Sequence, residues 1–152
     1  MSIITASTTV AAPPQRVFEV YTDLAKAAER IPDIKSLELL TDGPVGQGTH
    51  WRETRVMFGK EATEEMWITD FEPPKGYSVE ARSHGMLYET RFDFEPQGDG
   101  TQVSWTFKGT PLTLGTKLTA PLFGLLFKGT MKKCMTGDLE ALRQVCESDG
   151  QS

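Results

Sequence analysis

The chain has little of the side-chain chemistry that enzymes commonly rely on. Its 152 residues include two cysteines and two histidines. Cys134 and Cys146 fall on one helical segment, about 18 Å apart at the helical rise, too far to pair within it. His50 and His84 stand alone in the sequence, the second before Gly85 in an expected turn with a solvated side chain. Such a set makes neither a zinc nor a redox site, so no metal is expected. A phosphate-binding glycine loop is missing as well, because Gly98-Asp99-Gly100 reads as a hairpin turn. No serine or cysteine nucleophile with a neighbouring base can be assembled from spacing. No cofactor is expected.

Long apolar runs are also missing. Leu118 to Phe127 is shorter than the ~20 residues of a membrane span and contains Pro121. Met1 to Val10 has neither a basic start nor a sufficient apolar block, so no secretory leader is expected and a reducing cytoplasm is the expected compartment. There is no linker-like tract, internal repeat or low-complexity segment, and residues 1–152 read as one domain large enough to bury a core without staples. Excess positive charge is lacking too: the net charge is −5, which argues against nucleic acid as a partner. That charge is uneven. Lys108 to Gly137 holds five lysines and no acid, a segment of +5 that leaves −10 on the remainder. Either this is the solvated face of a helix, or it is a basic face for peripheral contact with an anionic membrane or an acidic protein. Lys128, Lys132 and Lys133, beside Phe123, Leu125, Leu126 and Phe127, are the residues that would make that contact.

What is present is pattern. Leu114, Leu118, Leu122, Leu125 and Leu126 recur at three- and four-residue steps. Met131, Met135, Leu139, Leu142 and Cys146 continue them, predicting one helix over Thr113–Glu147, roughly 50 Å long. Thr113 is the expected N-cap, and Gly150 lies past the end. Pro121 either bends this helix or hinges it, with Gly124 and Gly129 weakening the turns beyond. Alternatively the helix starts nearer Pro121, with Thr119 as cap. A helix of this length needs something long and concave to lie against.

Upstream the pattern is mostly that of strands. Ser2–Val10 is β-branched and partly alternating. Pro14 opens a short helix with Val17, Phe18, Val20, Tyr21 and Leu24 on one face, and Ala25–Arg30 gives a second, ended by Ile31-Pro32. Strand candidates follow at Ile34–Leu40, Thr49–Phe58, Thr63–Phe71, Tyr77–Ser83, Met86–Phe94 and Thr101–Lys108, separated by short turns that imply antiparallel pairing. The reading is α+β: a curved antiparallel sheet of about seven strands around one long C-terminal helix, with two short helices after strand one.

That order resembles the START-like (SRPBCC) superfamily, also described as polyketide cyclase/dehydrase and lipid-transport proteins. The residues carrying the resemblance are Val10-Ala11-Ala12-Pro13-Pro14-Gln15-Arg16-Val17-Phe18, Tyr21-Thr22-Asp23 and Ile31-Pro32-Asp33-Ile34. Gly46-Gln47-Gly48-Thr49-His50-Trp51 and Gly100-Thr101-Gln102-Val103 continue it. The similarity spans nearly the whole chain. The chaperone-ATPase-activator relatives carry a tryptophan soon after the first helices; Ala25–Ile34 has none, which favours the cyclase-like branch. The resemblance implies a helix-grip fold with a deep cavity between sheet and long helix, and leaves the ligand open.

Alternation assigns the aromatic strand faces inward. These faces are Met86, Tyr88, Thr90, Phe92 and Phe94; Val103, Trp105 and Phe107; and Tyr77, Val79 and Ala81. In Thr63–Phe71 the pattern is ambiguous, with Met66 and Ile68 opposing Trp67 and Phe71. If Trp51 points inward, Glu53 and Arg55 enter with it as a pair; if it lies at a rim, they are solvated cross-strand charges. The expected ligand site is Phe18, Trp51, Tyr88, Phe92, Trp105, Leu118 and Leu122, with Glu53 and Arg55 as polar contacts. Tyr88 and Thr90 are the orienting hydroxyls. This favours a carrier of a hydrophobic small molecule: a lipid, isoprenoid or polyketide-like ring. A cofactor-free cyclase or aromatase is the alternative, with Glu53, Arg55 and Tyr88 as its catalytic set. A docking module using the basic helix face is a third.

Overall fold

The computed structural model describes residues 2–57 and 59–149, and for Ser2, Met57, Asp149 and residues 119–127 the backbone alone. The chain runs β1 (Ser2–Val10), α1 (Pro14–Thr22), a 3-10 turn (Leu24–Lys26) and α2 (Ala27–Arg30). It continues through β2 (Ile34–Leu39), β3 (His50–Met57), β4 (Lys60–Glu72), β5 (Gly76–Ser83), β6 (Met86–Gln97) and β7 (Gly100–Pro111) to α3 (Leu114–Asp149). The seven strands form one antiparallel sheet in the order β1-β7-β6-β5-β4-β3-β2. The curved sheet with its long C-terminal helix is the helix-grip architecture. Consecutive strands from β2 to β7 pair, β2 with β3 across residues 40–49 and the others through short turns, as their spacing predicts. The pairing of β1 with β7 is what closes the order, and no local pattern specifies it: Ser2 faces Gly109 and Val10 faces Thr101 along the full length of β1.

Strands β4, β6 and β7 extend past their predicted ends. Pairing carries them: Met57 opposes Lys60, Gln97 opposes Gly100, and Met86 opposes Pro111. A ladder partner keeps charged residues and glycine in extended backbone where side-chain pattern alone would stop the strand.

The ambiguity in β4 has a structural cause. The register slips between Ile68 and Asp70, so Thr69 is the extra residue of a bulge. Inward parity therefore shifts: Met66 and Ile68 face inward before it, Phe71 after it. Phe71 meets Phe18 edge-on at a ring separation of 5.2 Å. Trp67, on the outer face, stacks on His50 at 4.4 Å.

Pro14 opens α1, and Ile31 leaves the helical region before Pro32 at φ −109°, ψ 111°. The inner side of α1 buries Val17, Phe18, Val20 and Tyr21. Phe18 packs against Tyr77 and Phe94, so α1 closes one end of the sheet.

Helix α3 begins where Thr113 predicts it, which removes the alternative start near Pro121. The Thr116 N–H donates to Thr113 Oγ1 at 3.2 Å, and the Thr113 N–H donates to Thr116 Oγ1 at 3.1 Å. This is a reciprocal cap with threonine in place of the usual glutamate. The Leu112 N–H donates to Gly85 O at 2.8 Å, and Thr116 Oγ1 lies 3.0 Å from the same oxygen, which fixes the cap to the β5–β6 turn. Gly85 sits at φ +77°, and a Cβ there would come within 2.9 Å of Thr116. Only glycine fits that contact.

In the second half of α3 the predicted stripe is buried: Met131, Met135, Leu139, Leu142 and Cys146 pack on the inner face of the sheet. The first half departs from it. Leu114 is 75% exposed and Leu118 70%. Thr116 takes the side turned to the sheet, and residues two steps away lie about 200° around the helix from it. Leu118 therefore faces outward, contrary to its expected place in the ligand site. Leu122, Phe123, Leu125, Leu126 and Phe127, together with the bend or hinge at Pro121, lie outside the described side chains.

Candidate functional site

The inner face of β3 carries Trp51, Glu53 and Arg55 at alternate positions. Trp51 and Glu53 are buried, which excludes the rim placement. Opposite them on β4 stand Met66, Glu64 and Ala62. Trp51 Nε1–H donates to Glu53 Oε1 at 3.3 Å, and Arg55 Nε–H donates to Glu53 Oε2 at 3.1 Å. Arg55 then reaches across to the helix, where its Nη2 donates to Asp138 Oδ2 at 3.0 Å. One cation thus joins two buried acids, one from the sheet and one from α3.

Two carboxylates against one guanidinium leave an excess negative charge in a poorly solvated place. Asp138 absorbs the imbalance. Burial pushes its carboxyl up to about 6; Arg55 opposes the rise, and Glu53 and Asp33 add to it. Burial pulls the Arg55 guanidinium down, but Asp138 and Glu53 outweigh that and hold it above its ordinary value. With Asp138 protonated, Glu53 and Arg55 make a neutral pair. A carboxyl near 6 can give or take a proton close to neutral pH. Asp138 lies within the buried stripe, between Met135 and Leu142. An acid at a position where periodicity demands an apolar residue was the available signal, and the reading of that stripe as apolar alone passed over it.

Around this pair lies an aromatic wall. Tyr77, Phe92 and Trp105 share one cross-strand row on β5, β6 and β7. Phe92 lies 5.1 Å from Tyr77 and 4.7 Å from Trp105 between ring centroids. Thr90 and Phe107 share the next row, and Tyr88 opposes Gly109 in the row beyond. Tyr88 stacks on Phe107 at 5.6 Å. Burial, then Glu64, raises the Tyr88 phenol. Tyr77 OH donates to the Tyr21 carbonyl at 3.4 Å, and burial followed by Glu53 holds its phenol far above the ordinary tyrosine value.

The structure therefore brings Trp51, Glu53 and Arg55 together. It sets Phe18, Tyr88, Thr90, Phe92 and Trp105 on the same inner layer and leaves Leu118 outside. Tyr88 has Glu64 as an electrostatic neighbour, and Glu64 accepts from Ser83 Oγ at 2.9 Å. Asp138, which was outside the expected set of Glu53, Arg55 and Tyr88, joins Glu53 and Arg55 in the charged group.

The remaining polar candidates have ordinary partners. His50 bonds Glu65 at 2.8 Å on the outer face. His84, exposed at φ 49°, occupies the β5–β6 turn. Among the described residues no group of three His, Cys, Asp or Glu side chains is placed to hold a metal. Lys128, Lys132 and Lys133 are exposed on α3, and Lys132 Nζ donates to the Thr5 carbonyl of β1. No helix, among the described residues, is long and apolar enough to cross a membrane.

Comparison with solved structures finds the same fold widely. The Zhui aromatase/cyclase from Streptomyces sp. R1128 superposes with a TM-score of 0.81 at 18% identity, covering 95% of this chain and 93% of that one. A START superfamily protein from Mycobacterium smegmatis gives 0.77 at 17% identity over 95% and 96%. Norcoclaurine synthase of Thalictrum gives 0.71 at 18% identity over 99% and 96%. At such identities the likeness is one of fold. No curated protein sequence matches this one. The family described as polyketide cyclase/dehydrase and lipid transport matches residues 1–147. With its sheet closed on α3 over the Glu53–Arg55–Asp138 bridge, the chain belongs to the polyketide cyclase/dehydrase and lipid-transport family.

Proposed function

We propose that the protein binds a hydrophobic small molecule between the inner face of the sheet and α3. The Glu53–Arg55–Asp138 bridge would meet the polar part of that molecule, and Phe92, Trp105, Tyr88 and Phe107 its body. The observation that carries this is the bridge itself. A pair of buried carboxylates on one arginine is costly compared with an apolar core of the same shape, and here it sits against a wall of aromatic rings. Family membership supports the same reading. Native mass spectrometry of the freshly purified protein, with its solvent extract, tests it. A near-stoichiometric apolar compound is the expected result. An empty protein that also takes up no aromatic or isoprenoid compound on incubation would sink it.

A second reading is favoured by the position of Asp138. Its carboxyl titrates near neutrality beside a fixed positive charge, the arrangement a cyclase or dehydratase needs to move a proton while a carbonyl is polarised. The Zhui aromatase/cyclase, with its similar fold, makes such substrates the first to try. Under this reading Asp138→Asn abolishes turnover of a polyketide-like substrate while binding persists. Unchanged turnover in that variant removes Asp138 from the chemistry, and unchanged turnover in Arg55→Glu removes the proposal altogether.

A further inference from the structure

Two hydrogen-bond donors at the aromatic wall, one on α1 and one on β7, lack an acceptor among the described residues. Tyr21 OH and Trp105 Nε1 are buried, and among the described residues neither has an acceptor. Their side chains belong to residues only 6% and 8% exposed. Both rings pack on Phe92, Tyr21 at 5.4 Å and Trp105 at 4.7 Å between centroids. A buried donor without a partner forfeits its hydration for nothing, and native cores hold few of them. Two around one phenylalanine, on the layer that faces α3, call for an acceptor that the described residues do not supply.

The surroundings narrow what that acceptor is. Tyr21 is held as a neutral phenol: burial first, then Tyr77, Cys146 and Asp138, keep it far above its ordinary value. Trp105 Nε1 is a donor only. The nearby cation is committed, since Arg55 gives Nε to Glu53 and Nη2 to Asp138. An anionic ligand would thus meet carboxylates with no unspent positive charge, at a large desolvation cost. A hydrocarbon would leave both donors empty.

Resting on the hydrophobic-ligand reading above, we infer that the ligand is a neutral carbonyl compound on a flat apolar body, whose oxygen accepts from Tyr21 OH and Trp105 Nε1, and not a fatty acid or a hydrocarbon. The assignment gives the two donors a function that packing does not.

The test uses three probes of matched shape on the intact protein: 2-acetylnaphthalene, 2-ethylnaphthalene and 2-naphthoate, with affinities from calorimetry. The ketone is expected to bind about ten-fold or more tightly than the alkyl and carboxylate probes. Tyr21→Phe and Trp105→Phe are each expected to lower the ratio of ketone to alkyl affinity about ten-fold. The alkyl probe controls for any change of shape in the Trp105 variant. The carbonyl stretch of the bound ketone, lowered in the native protein relative to hydrocarbon solvent, returns toward the solvent value in both variants. Equal affinity for ketone and alkyl probes in the native protein overturns the inference and leaves the hydrophobic-ligand reading standing, as does an unchanged ratio in both variants. Failure of all three probes to bind overturns the inference, and the hydrophobic-ligand reading is then decided by the mass spectrometry of the solvent extract.

Discussion

The two halves of α3 carry similar apolar side chains and meet the molecule in different ways. From Met131 onward the stripe is buried and Asp138 reaches Arg55; at the start, Leu114 and Leu118 face out while Thr116 takes the sheet side. At about 100° per residue, Leu118 lies some 220° around the helix from Met131. The two runs of apolar residues therefore share a period without sharing a phase. Period predicts that a helix exists. Phase decides what it touches.

The sharpest way to break the comparison is to remove the link that only the second half makes. Arg55→Met leaves Glu53 and Asp138 buried without a cation, and a loss of about 3–5 kcal/mol is expected in urea unfolding at pH 7. The loss should shrink at pH 4, where Asp138 takes up a proton. A variant as stable as the native protein at pH 7 would mean that the bridge is solvated. Next in size is Met135→Ala, at a fully buried position of the stripe, with an expected cost of about 2–5 kcal/mol.

Asp138 gives the same half of the helix a dependence on pH. Its carboxyl is raised from 3.8 to about 6 in the folded state, so between those values the folded protein binds more proton than the unfolded chain. Its contribution to stability is fully present below about 4 and is lost as pH rises through about 6. Two units correspond to about 3 kcal/mol. Asp138→Asn should remove this component. The native protein is expected to lose up to about 3 kcal/mol relative to the variant between pH 4 and 7 in paired urea melts. Parallel curves would show that Asp138 titrates as a solvated acid.

Much of the fold was legible because it is written in local pattern. Strand alternation placed Tyr77, Phe92 and Trp105 inward but left Trp51 open between an inward and a rim position, which its burial decides; Pro14 and Ile31-Pro32 bounded the short helices, and Thr113 marked the helix start. Pairing across distance was not legible. The β1–β7 ladder joins residues about a hundred positions apart, and the bulge at Thr69 breaks alternation at the strand where the faces were ambiguous. The site divides likewise. Glu53 and Arg55 are two apart on one strand, so their association follows from the pleat. Asp138 lies 83 residues from Arg55, and its membership requires the helix to be laid on the sheet in one phase. Leu118 was misplaced for the same reason: sequence spacing does not reveal which of two stripes faces the core.

The smallest effects belong to the first half of α3, and they sharpen the comparison by their size. Thr113→Ala removes the acceptor for the Thr116 N–H and should cost about 1 kcal/mol. The loss should appear mainly as faster amide exchange over the first turns of α3, with protection at Met135 and Leu142 unchanged. Leu118→Ser goes further in chemistry and less far in energy. An exposed leucine outside the core has little burial to lose, so a change within about 0.5 kcal/mol is expected, against several for Met135→Ala. The contrast between these two substitutions, on one helix and at equally apolar positions, measures the phase difference directly. A cost at Leu118 comparable to that at Met135 would place both stripes against the sheet and return Leu118 to the ligand site.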